Sequence, residues 1–202
     1  IPVILDTDLD GLAGAEELLF DCNELAKGKP YFSLGGVARS PDHSLAAWSQ
    51  DDKGSEFYEL RIRDFASGKD RDDLLLNTSG GATWSADGQY IFSTVQDEHH
   101  RPLKSYRHRL GTAQSDDVLI FEEKDTGMFT GLGSTHSERF IIISVHDHDT
   151  SECWLIDAAK PLEKPRLVAP RVPGIEYEME HHGETFIIKT NFGGAEDYKL
   201  VT

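Results

Sequence analysis

Cysteine is nearly missing from this chain: Cys22 and Cys153 are the two among 202 residues. So distant a pair cannot build the disulfide framework of a small secreted domain, and unpaired thiols point to a reducing, cytoplasmic setting. Long apolar runs are missing too. None approaches the roughly 20 residues of a membrane helix. The opening Ile1-Pro2-Val3-Ile4-Leu5 has no basic flank, unlike a secretory signal. With no initiator methionine at its start, the chain reads as a piece of a longer one. Positive charge is scarce: 20 Lys and Arg stand against 36 Asp and Glu, a net charge of −16. That balance repels nucleic-acid phosphates and favours cationic ligands, while also keeping the surface soluble.

Signatures of catalysis are missing as well. A hydrolase nucleophile on a strained turn needs Gly-x-Ser-x-Gly, and no serine here has glycine two positions before it. Gly131-x-Gly133 lacks the third glycine and the βαβ setting of a dinucleotide loop. We therefore assign no catalytic residue, no cofactor and no metal.

What the chain has is a repeat. A polar turn followed by an apolar or aromatic strand returns about every 45–50 residues, the length of a four-stranded propeller blade. Ser40-Pro41-Asp42-His43 precedes Leu45–Ser49, and Ser85-Ala86-Asp87-Gly88 precedes Tyr90–Val95. Thr135-His136-Ser137-Glu138 precedes Phe140–Val145, and His181-His182-Gly183-Glu184 precedes Phe186–Thr190. Asp, Gly and Pro in the turns suit tight hairpins. The continuous apolar runs predict strands covered on both faces. More alternating segments follow, Phe57–Arg63 and Glu152–Ile156, as half-exposed strands do. Short outer strands are expected at Leu74–Leu76, Val118–Phe121 and Arg166–Val168.

The expected fold is all-β: a partial propeller of four-stranded antiparallel blades, about three complete and incomplete ones at each end. The units are 16–30 (an outer strand at Glu17–Asp21, then a helical turn at Asn23–Lys27 capped by Asn23), 31–79, 80–126, 127–172 and 173–202. Tyr198–Val201 reads as a third strand lacking its fourth, and such open edges invite self-association. A β-sandwich is the competing architecture, but it gives no reason for a turn-plus-strand signature to occur four times. The glycine pairs Gly35-Gly36, Gly80-Gly81 and Gly193-Gly194 fall at strand entries or turns, where close packing of inner strands accounts for them.

Three clusters carry candidate binding chemistry. Asp6-x-Asp8-x-Asp10-Gly11 with Glu17 fits the calcium-loop pattern, yet no entering helix precedes it, and an acidic surface hairpin is the competing reading. His146-Asp147-His148, His136, His99-His100 and His181-His182 have the chemistry of zinc ligands but sit in predicted hairpins, where polar residues belong. Glu176, Glu178 and Glu180 alternate with bulk, so they form one row that faces either a channel or solvent.

Several longer segments carry a resemblance. Ser55–Asp64, Asp97-Glu98-His99-His100-Arg101-Pro102, Tyr106–Thr112, His146–Glu152 and Tyr177–Gly183 are similar, in the same order, to the oligopeptidase B (protease II) branch of the prolyl oligopeptidase family. That branch usually has Asn where this chain has His99. The similarity extends over roughly 16–202, with 1–15 matching poorly. The resemblance implies a seven-bladed ring, of which this chain supplies about the first half. It also implies a partner: a C-terminal α/β-hydrolase domain with a Ser-Asp-His triad, cleaving short peptides after Arg or Lys. The propeller would gate access to that domain. No catalytic or substrate-binding residue carries over to a position here. A free-standing interaction module is the alternative.

Overall fold

A computed structural model describes residues 18–202. The candidate calcium ligands Asp6, Asp8, Asp10 and Glu17 lie outside the described residues. The first element is a five-residue helix, α1 (Cys22–Ala26), capped by Asp21, whose carboxylate accepts from the N–H groups of Asn23 and Glu24 at 2.9 and 3.2 Å. Two expectations are corrected here. Asn23 is inside the helix rather than at its cap, and Leu18–Asp21 forms no strand. Side-chain packing holds that segment instead: the Phe20 ring lies 5.1 Å from Trp48 and 4.9 Å from the Arg63 guanidinium.

Strands then follow in antiparallel groups. Blade 1 is β1 (Ser33–Arg39), β2 (Leu45–Asp51), β3 (Tyr58–Asp64) and β4 (Lys69–Thr78). Blade 2 is β5 (Thr83–Trp84), β6 (Tyr90–Gln96), β7 (Pro102–Arg109) and β8 (Val118–Glu122). Blade 3 is β9 (Phe129–Ser134), β10 (Phe140–His146), β11 (Ser151–Asp157) and β12 (Arg166–Ala169). Blade 4 has β13 (Tyr177–His182), β14 (Thr185–Thr190) and β15 (Lys199–Val201). The inner strands β1, β5 and β9 neighbour one another in turn, as blades fanned about one axis require. A single bridge, Thr78 to Val95, joins the end of β4 to β6 and fuses blades 1 and 2 into one sheet.

The repeated turn is a hydrogen-bonded device. Ser40 Oγ donates to Asp42 at 2.6 Å and accepts from Leu45 N–H at 2.9 Å; Ser85 does the same with Asp87 and Tyr90. Thr135 repeats the contact with Phe140 N–H at 3.2 Å. The last turn residue is left-handed each time, with φ of 60° at His43, 66° at Gly88 and 57° at Glu138. The fourth turn departs from the pattern. Its hairpin closes at His182–Thr185, leaving Gly183 and Glu184 as a two-residue loop.

Strand period explains the continuous apolar runs. In β6, Ile91 joins Leu45, Ala47, Leu60, Ile62, Leu75 and Trp84 in the core between blades 1 and 2. Its neighbour Phe92 turns the other way, into a core with Ile141, Ile143, Ile156 and Ala158 of blade 3. A second strand thus needs apolar residues at both parities because it serves two seams. Each such side chain contributes about 1.5–3 kcal/mol by leaving water.

Candidate functional site

A cleft of about 510 Å³ opens between blades 3 and 4, lined by residues that include Ser144, His146, Cys153, Glu176, Glu178 and Lys189. Its floor is fixed by Tyr177. The phenol accepts from Cys153 N–H at 2.8 Å and donates to Ala169 O at 2.8 Å, while Ser151 exchanges two bonds with the Tyr177 backbone. Its walls are ionic. Lys189 donates to Glu178 at 2.8 Å, which raises the lysine pKa, and Tyr198 donates to Glu176 at 3.0 Å, which raises the phenol's. The alternating carboxylates therefore divide: Glu176 and Glu178 enter the cleft, whereas Glu180 accepts from the N–H groups of His136 and His181.

The cleft gathers Ser151, His146 and Asp147, but not as a relay. The Ser151 hydroxyl is occupied by the Tyr177 backbone, and His146 Nδ1 lies 3.4 Å from the backbone oxygen of Asp147. The Asp147 carboxylate caps its own turn through Asp149 and Thr150. Burial pushes the Cys153 thiol up to about 11, with help from Glu152 and Glu178, so it is no nucleophile near neutrality.

Several histidines pack against aromatic rings. His100 packs against Phe57, with centroids 4.3 Å apart, and His146 against Phe129. His181 is buried between Phe140 and Phe186 with Nδ1 2.9 Å from Ser137 Oγ. Among the described residues no three His, Cys, Asp or Glu side chains gather as a metal site would require.

Two buried ionic clusters were not apparent from the sequence. His108 in β7 is 1% exposed, with Nδ1 2.6 Å from Asp117 and Nε2 3.1 Å from Asp73 of blade 1. Burial pulls the imidazole toward neutrality, but the two carboxylates win and push it up to about 9. Burial likewise opposes ionisation of Asp73, and the bonds from His108 and Gly111 N–H overcome it and hold that carboxyl below its usual range. Farther round, Arg171 bridges Glu123, just after β8, to Glu152 of β11, and both carboxylates are buried. Trp154 Nε1 donates to Glu152 at 2.8 Å.

Such seams join successive blades, and comparison with known proteins says which family builds its domain this way. The prolyl oligopeptidase N-terminal β-propeller domain matches residues 2–202. The chain belongs to the prolyl oligopeptidase family. The match also starts earlier than the boundary near Glu16 that the motifs suggested. Protease 2 of Moraxella lacunata is 37% identical over 92% of the chain and 27% of its own length. Dipeptidyl aminopeptidase BI of Pseudoxanthomonas mexicana is 34% identical over 93% of the chain and 26% of its own length. In three dimensions, oligopeptidase B from Leishmania major superposes with a TM-score of 0.88 at 30% identity, covering 98% of this chain and 28% of that one. Oligopeptidase B from Trypanosoma brucei gives 0.85 at 32%, over 95% and 28%. The chain thus spans about a quarter of the length of these relatives, and the resemblance to the oligopeptidase B branch holds in sequence and in space.

Proposed function

We propose that this chain is the propeller portion of a serine oligopeptidase that cleaves short peptides after Arg or Lys. In that reading it gates access to an α/β-hydrolase domain beyond this chain. The observation that carries the reading is the superposition on two oligopeptidase B structures, at 30% and 32% identity. One of them holds covalently bound antipain in a closed form. The net charge of −16 supports steering of cationic peptides toward the assembly. The two unpaired thiols support a cytoplasmic location. No helix among the described residues is long and apolar enough to cross a membrane.

The similarity to a dipeptidyl aminopeptidase favours a second reading, in which the full protein removes dipeptides from free amino termini. Steady-state kinetics of the full-length protein separate the two. N-terminally blocked peptides with Arg or Lys before the scissile bond are expected to give the highest kcat/KM. A preference for proline at that position, or a strict need for a free amino terminus, would overturn the first reading.

A further inference from the structure

The surface that blade 2 turns toward blade 3 changes character along its length. At one end Phe92 packs with Ile141, Ile143 and Ile156, flanked by Leu132 and Phe121. At the other end the side chains are polar. Thr94 lies two residues beyond Phe92 on β6, so it shares that face. Ser105 is the register partner of both Thr94 and Phe121. On the opposing blade, Thr130 lies two residues before Leu132 on β9 and so points back toward blade 2. Three hydroxyls therefore enter one seam from two blades.

None of them has a partner among the described residues. Thr94, Ser105 and Thr130 are 2%, 0% and 3% exposed, and their hydroxyl oxygens make no hydrogen bond with any group of the described residues. The side-chain oxygen of Gln96, two residues past Thr94, is in the same condition. Ser49 and Thr78, by contrast, are satisfied: Ser49 donates to Gly80 O at 2.7 Å, and Thr78 to Tyr58 O at 3.1 Å. Directly paired strand residues have Cβ atoms about 4.5–5.5 Å apart, so Thr94 and Ser105 are close enough to share a third group. Past Val145, the register partner of Thr130, comes buried Glu152 with Arg171. The polar end of the seam is thus continuous with an ionic cluster.

We propose that Thr94, Gln96, Ser105 and Thr130 form a binding site for internal water between blades 2 and 3. Each hydroxyl offers one donor and two acceptors, and the Gln96 oxygen adds an acceptor. That supply matches the two to four bonds a buried water makes. The bound waters return the hydration that these groups lose on burial, and they give this seam a hydrogen-bonded half beside its apolar half.

The test is a high-resolution crystal structure of the full-length protein, with melting of the variants Thr94→Val, Ser105→Ala and Thr130→Val. Water peaks are expected within hydrogen-bonding distance of at least two of the four groups. Each single variant should melt lower, and Thr94→Val combined with Thr130→Val should lose less than the sum, because both hydroxyls hold shared waters. The absence of any bridging peak, or variants that melt unchanged or higher as removal of useless hydroxyls would make them, overturns the proposal.

Discussion

His108 and Asp73, 35 positions apart in the sequence, meet at 3.1 Å across the seam between blades 1 and 2. Asp117 holds the other side of the ring at 2.6 Å, so the imidazolium is caught between two carboxylates. Arg71 reaches the far oxygen of Asp73 at 3.6 Å from its partly exposed position. The bridge stabilises the seam through charge that neither blade presents alone.

The pH dependence of that bridge follows from its shifts. His108 titrates near 6.5 when unfolded and near 9 in place, so its stabilisation is complete below about 6.5 and lost as pH rises through 9. Asp73 is depressed from 3.8, so its share is present above that value and lost as pH falls through the native one. Hydrogen exchange of peptides spanning 102–117 in the full-length protein should therefore be best protected between about pH 4 and 6.5, after correction for intrinsic rates. Protection that rises from pH 7 to 9.5 would contradict the ion bridge.

Removing the imidazole should cost more than its own bonds. His108→Ala leaves Asp73 and Asp117 buried together with only the partly exposed Arg71 nearby, a loss of roughly 3–5 kcal/mol. Asp73→Asn combined with His108→Ala should recover part of this. Thermal unfolding of the propeller transition checks both, and a double variant less stable than the single would count against the charge account.

The glycine pairs at the inner strands act through close approach. Gly36 N–H donates to Gly80 O at 3.1 Å, and a Cβ on Gly36 would stand 2.7 Å from that oxygen. Gly36→Ala is expected to destabilise by about 1–3 kcal/mol. Gly133→Ala, in open space on an inner strand, should cost far less. Equal melting shifts would show that blades 1 and 2 do not close on Gly36.

The two thiols should differ in reactivity. Cys22 is exposed, while Cys153 is buried with its thiol pushed up to about 11. Under native conditions at pH 8, a thiol reagent should label Cys22 in minutes and Cys153 only on unfolding, as peptide mass mapping can read.

The blade hairpins were legible because their determinants are local. Ser40, Asp42 and Leu45 close a turn within six residues, and Ile91 beside Phe92 betrays a strand covered on both faces. The seams were not legible. His108 sits in Tyr106-Arg107-His108-Arg109, a stretch that reads as polar surface, and its partners come from β4 and a later turn. Nothing near Arg171 announces Glu123, 48 positions earlier. Leu18–Asp21 misled for the opposite reason: its apolar residues imitate an outer strand, but Phe20 is used to cover Trp48.

If the propeller gates access as proposed, the full-length protein should select its substrates by size. One Arg-containing cleavage sequence should be offered as a blocked short peptide, within peptides of increasing length, and in an exposed loop of a folded protein. The rate should fall steeply with length and vanish for the folded carrier. Equal cleavage of the short peptide and the folded carrier would contradict a gating role for this domain.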